Sequence, residues 1–121
     1  MEAKAYSTSS NRQPHILAHL DPGICGFKCT IAVNKIGSKM VEIKIDSECE
    51  KVQTLASHLN KISLLEALQP ISRNPIYRSA DKAGCHSSCP VPVSIIKAAE
   101  IGLQLALPKT VKLTFEIEKD T

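Results

Sequence analysis

The residues best equipped for chemistry in this 121-residue chain are its five cysteines, Cys25, Cys29, Cys49, Cys85 and Cys89. A thiolate is both a soft metal ligand and a nucleophile, so cysteines gathered in space point to metal binding, iron–sulfur chemistry or thiol chemistry. A C-x3-C spacing occurs twice, at Cys25/Cys29 and Cys85/Cys89, while the C-x2-C knuckle of a structural zinc ribbon is absent. Neither pair is specific by itself. Cys25 falls in the turn sequence Asp21-Pro22-Gly23-Ile24-Cys25-Gly26, and Cys49 lies where a helical pattern begins. Cys85 and Cys89 directly precede the longest apolar-faced helical pattern. Ligands at the ends of elements can converge on one cluster, so Cys25, Cys49, Cys85 and Cys89 are the candidate ligands for zinc or an iron–sulfur cluster.

The neighbours of these cysteines fit that reading. Helix N-termini present unpaired N–H groups and the positive end of the dipole, which should acidify Cys49 and Cys89 most. Gly26 and Gly84, each beside a cysteine, would let a bulky cluster approach the backbone and could offer it their amides. Pro90 stiffens the chain directly after Cys89. His86 is either a further ligand or a hydrogen-bond partner of a bound sulfur, and a solvent-exposed loop histidine is the plain alternative. Cys29 shares strand parity with Phe27 and Ile31, which makes it a core residue with a ligand role as the alternative. His15 and His19, four residues apart, share a strand face; they could contribute metal ligands, and a wet sheet face is the plain reading. No catalytic residue is assigned. Asp21, Asp46, Glu48 and Glu50 have ready roles in turns or caps, and no phosphate-binding glycine loop, nucleophile elbow or H-E-x-x-H is present.

The elements that must carry these residues follow from periodicity. Alternation predicts strands over 15–20, 27–33 and 40–45, the last with Val41, Ile43 and Ile45 on one face and Glu42, Lys44 and Asp46 on the other. The first two strands are separated by the Asp21-Pro22-Gly23 turn, the next two by a hairpin near Gly37. Ser47 with Glu50 reads as a capping box, with Asp46 as a competing N-cap, opening a helix over 48–60 whose stripe is Val52, Leu55, Leu59 and Ile62. Residues 63–68 form a shorter helical piece closed by Pro70, and Asn74-Pro75 opens another toward Ala83. A further helix starts near Pro92 and runs to Leu107-Pro108. Val111 to Ile117 alternates again and predicts a closing strand. The expected fold is α+β in two layers: a mainly antiparallel sheet of about four strands with helices on one face.

Length sets one domain, residues 14–121, behind a flexible tail at 1–13. Apolar residues make up 43% and Trp is absent, so Ile, Leu, Val and Ala must build the core. Fifteen basic residues against twelve acidic ones leave a net charge of +3, with both signs interspersed. That balance, and the near absence of aromatic stacking platforms, argues against a nucleic-acid partner. No apolar run reaches the ~18 residues of a membrane helix, and the N-terminal residues lack a signal-peptide core, so a cytoplasmic location is expected. In a reducing compartment five cysteines suit metal or thiol chemistry better than a disulfide framework.

These residues also carry a resemblance. Pro22-Gly23-Ile24-Cys25-Gly26-Phe27, the segment Ile43 to Val52 around Cys49, Gly84 to Pro92 around Cys85 and Cys89, Ile96 to Glu100, and Leu105 to Lys109 together resemble a family of small cysteine-containing proteins of anaerobic bacteria and archaea, over roughly residues 15–117. That family brings no established function. Ser88-Cys89-Pro90 is also similar to the cysteine domain named for its Thr-Ser-Cys-Pro-Asp motif, with Val91 at the position of the motif's Asp. The order Cys25, Cys49, then Cys85 or Cys89 resembles the iron–sulfur scaffold proteins. The resemblance implies a metal or cluster protein with a scaffold, carrier or redox task. A structural or protein-interaction module with buried free cysteines, and a thiol-dependent enzyme, are the alternatives. The expected partner is another protein or a second copy of the chain.

Overall fold

The computed structural model describes residues 15–119; the expected tail at 1–13 lies outside them. Four strands, β1 (His15–Leu20), β2 (Cys29–Lys35), β3 (Met40–Ser47) and β4 (Lys61–Ser63), form one antiparallel sheet in sequence order. The helices are α1 (Glu50–Ser57), α2 (Leu64–Ala67), α3 (Pro75–Ala83) and α4 (Val91–Gly102), with a 3-10 turn at Ile71–Arg73. The α+β class, the antiparallel sheet and the strands-before-helices order are as the sequence leads one to expect. Among the described residues no helix is long and apolar enough to cross a membrane.

The register explains the layering. Ile16 opposes Val33, Ala18 opposes Ile31 and Leu20 opposes Cys29. Across the next ladder Cys29 opposes Ser47, Ile31 opposes Ile45 and Val33 opposes Ile43. Opposed residues share a face of the sheet, so this apolar set forms one surface. Packed on it are α4, against β1 and β2, and α1, against β3. Ile31, Val33, Val41, Leu55, Ile62 and Ile95 are fully buried between the layers. Gly102 lets the end of α4 settle close to the sheet: a Cβ there would lie 2.5 Å from Cγ1 of Val33 and 3.3 Å from Cγ1 of Val41.

Five sequence expectations are corrected. The helix expected over 48–60 spans Glu50–Ser57, and Cys49 itself is the N-cap, with no side-chain cap bond. Ser47 does not form the capping box with Glu50; its Oγ accepts the Cys49 N–H at 3.1 Å. The box forms instead at α2, where Ser63 Oγ accepts the Glu66 N–H at 3.1 Å and Glu66 Oε1 accepts the Ser63 N–H at 2.9 Å. Ile62 is buried as the stripe implied, but from β4, opposite Val41. The edge of β3 offers ladder hydrogen bonds that outweigh another helical turn. Next, α4 stops at Gly102 rather than running to Leu107. Gln104 adopts φ of 66°, and Leu105 N–H reaches Glu100 O while Gln104 N–H reaches Ile101 O, a Schellman-type end. Finally, the expected closing strand at 111–117 is not a strand. The segment 108–119 has no regular secondary structure, is exposed throughout and joins no strand ladder among the described residues. The fourth strand of the sheet is β4.

Candidate functional site

The sheet ends, on the side of Leu20, Cys29 and Ser47, beneath a pocket of about 180 Å³ whose lining includes Cys25, Cys49, Cys85, Cys89 and His86. Three separate parts of the chain deliver these groups. The link from β1 to β2 carries Cys25 in a tight turn: Asp21 Oδ1 accepts the Gly23 N–H at 3.2 Å, and Gly23 O accepts the Gly26 N–H at 3.0 Å. Gly23 and Gly26 both have positive φ, at 95° and 77°, which a side chain would oppose. Cys25 itself is exposed.

Cys49 is positioned by the β3–α1 junction. Its N–H is held by Ser47 Oγ, its carbonyl accepts the Gln53 N–H at 2.9 Å, and the Gln53 side-chain amide donates to Ser47 O at 2.9 Å. The other two thiols come from the link between α3 and α4. Gly84, at φ of 77°, ends α3 in the left-handed conformation. Cys85 N–H then donates to Ala80 O and Gly84 N–H to Asp81 O, again a Schellman end. Cys89 N–H closes a turn on His86 O at 3.0 Å, and Pro90 is the N-cap of α4. Cys49, Cys85 and Cys89 are half-buried.

The four expected ligand residues thus line one pocket, and His86 borders it. The amides of Gly26 and Gly84, considered above as donors to sulfur, are engaged by Gly23 O and Asp81 O in this arrangement, and both glycines are accounted for by their positive φ. Among the described residues no group of three or more His, Cys, Asp or Glu side chains stands in metal-holding geometry. The lining also includes Ile24, Phe27, Lys51 and Val52, none of which the cysteine pattern singled out. Phe27 carried a sequence signal, since it adjoins the C-x3-C segment in an apolar run. Lys51 carried none.

Electrostatics separate the thiols. Burial pushes Cys29 up to about 11, helped by the nearby Cys89, Asp46 and Cys49. It is 2% exposed, belongs to the core and does not border the pocket. Cys85 is also raised, first by burial and then by Cys89 and Cys49, with the Lys51 ammonium pulling the other way. That mutual influence ties Cys29, Cys49, Cys85 and Cys89 into one neighbourhood, with Cys29 as its buried member.

No curated protein and no solved structure matches the chain significantly. A model of a family of unknown function, DUF6951, matches residues 17–115, a span that contains all five cysteines. The chain belongs to that family.

Proposed function

We propose that this protein binds a metal ion or an iron–sulfur cluster through Cys25, Cys49, Cys85 and Cys89. The observation that supports it is the convergence of four thiols, from three distant parts of the chain, on one pocket. The donor chemistry fits soft occupants: zinc takes four thiolates, and iron–sulfur clusters are held in the same way. The surroundings fit as well. Ile24, Phe27 and Val52 make part of the lining apolar, and Lys51 offers positive charge to a site whose thiolates are negative.

Binding requires the thiols to lose their protons, so it releases protons and weakens as pH falls. Because the side chains do not already stand in coordinating geometry, an occupant has to draw the Cys25 turn and the Cys85–Cys89 link together around Cys49. His86 is placed to add a ligand or a hydrogen bond to sulfur. The order of the cysteines along the chain, which resembles that of iron–sulfur scaffold proteins, favours a carrier, scaffold or redox task over catalysis at a fixed substrate.

The test is anaerobic purification followed by iron, zinc and acid-labile sulfide analysis, with absorption spectra of the same samples. We expect one occupant per chain, lost in Cys49→Ser and Cys89→Ser and retained in Cys29→Ser. Protein that carries no stoichiometric metal, and takes up none from added zinc or from iron with sulfide, would end the proposal.

A further inference from the structure

Among the described residues the sheet has an edge that no further strand covers. Among the described residues β1 pairs with β2 alone, and its sequence His-Ile-Leu-Ala-His-Leu contains no Lys, Asp, Glu or Pro of the kind that blunts exposed edges. The opposite edge, β4, is only three residues long and runs directly into α2. Beside β1 lies a groove of about 390 Å³, formed by Ile16–Leu20, by Ala98 and Ile101 of α4, and by Pro108–Val111.

The segment that borders this groove then leaves it. Val111, Leu113, Phe115 and Ile117 are 64%, 76%, 88% and 89% exposed, and they alternate with Lys112, Thr114 and Glu116. A strict period of two with four large apolar side chains is the pattern of a strand with one buried face, yet here that face meets water. Among the described residues, the edge along Ile16–Leu20 has no further strand partner and the strand-patterned 111–117 has none, and the two meet at the mouth of one groove. Each lacks what the other offers.

We infer that two copies of this chain exchange their 111–117 segments, each adding a fifth strand to the outer edge of the other's β1. A two-fold axis satisfies both edges at once, and such isologous closure leaves no open end for further growth. The lengths agree: seven residues extend about 23 Å, against about 20 Å for the six of β1. With the apolar face toward the helix layer, Val111, Leu113, Phe115 and Ile117 enter the groove beside Ile16, Ala18, Leu20, Ala98 and Ile101. Lys112, Thr114 and Glu116 then continue the polar outer face of the sheet. Four large apolar side chains from each copy, plus two added ladders, suit the ~1,200–2,000 Å² of a specific interface. This association does not depend on an occupant of the cysteine pocket.

The experiment measures the mass of the full chain in solution over a concentration series, with reductant and chelator present to remove thiol and metal bridges. The expected species is a dimer, with slow amide exchange at 111–117. The variant L113E/F115E changes two exposed side chains, so its circular dichroism should match wild type while its dimer weakens by at least about a hundredfold. A photo-crosslinker at Thr114, in a mixture of isotopically heavy and light chains, should join heavy to light through residues 16–20. A monomer at all concentrations, a dimer that survives L113E/F115E, or crosslinks confined to one copy would each overturn the inference.

Discussion

At Cys29 burial, two neighbouring thiols and the Asp46 carboxylate all act in the same direction, against ionisation. The consequence for stability has a definite sign. Below the ordinary value of 9.0 both the folded and the unfolded chain hold the proton, and pH does not matter through this group. Between 9 and about 11 the unfolded chain ionises first, so stability falls as pH rises, by up to about 3 kcal/mol for two pH units. Denaturant unfolding at pH 8, 9 and 10 should show that loss in wild type and a smaller one in Cys29→Val, which keeps a similar volume. The same shift leaves about a hundredth of the ordinary thiolate fraction at neutral pH. Cys29 should therefore be the slowest cysteine to alkylate in folded protein, and a rate equal to that of exposed Cys25 would contradict its place in the core.

Between elements, Asn74 is the buried polar side chain that joins two helices. Its Oδ1 accepts the Ile76 N–H at 3.0 Å as the N-cap of α3, while its Nδ2 donates toward the carbonyls of Glu66, Ala67 and Gln69 at 3.3–3.4 Å. The residue is 2% exposed, and its bond to the Ala67 carbonyl is buried, so that acceptor has no ready water to replace it, while the Glu66 and Gln69 carbonyls are only half-buried. Asn74→Ala should cost about 2–3 kcal/mol in equilibrium unfolding, the sum of a lost cap and an orphaned acceptor. Asn74→Asp keeps the cap but points a carboxylate at carbonyl oxygens, and should not rescue. A loss under about 0.5 kcal/mol for the alanine variant would show that the junction is held by other means. Asn74-Pro75 was visible in the sequence as a helix start, and its service to the preceding helix was not, because those partners are carbonyls that no residue type announces. The same division holds elsewhere. Alternation located β1, β2 and β3, and the cysteine positions at element ends located the pocket-lining set Cys25, Cys49, Cys85 and Cys89. Periodicity failed at Ile62, where a burial requirement was met by a strand instead of a helix, and at 111–117, where a strand pattern carries no information about which chain supplies its partner.

For the molecule as a whole, the parts differ in how firmly they are tied. The β2–β3 ladder, β4 and the helix layer hold the fully buried residues, whereas four of the thiols, Cys25, Cys49, Cys85 and Cys89, sit on a turn, a cap and a short link at one end of the sheet. An occupant that binds only the folded chain raises stability by RT ln(1 + [L]/Kd), about 2.7 kcal/mol at a hundredfold excess over Kd. That gain should not be spread evenly. Local opening of the links at 21–28 and 84–90 breaks few buried contacts, so those amides exchange from low-energy openings, while the amides of Ile31 and Val33 exchange near the global limit. Adding zinc to reduced, metal-free protein should slow exchange at 21–28, at Cys49 and at 84–90 by large factors. For amides of β2 that open only globally, the slowing should be no more than the rise in overall stability. Cys49→Ser should abolish the local protection while leaving the β2–β3 amides of the metal-free protein as slow as in wild type. Protection confined to one link, with 21–28 unaffected, would remove Cys25 from the ligand set and leave a three-thiol site completed by His86 or an outside ligand.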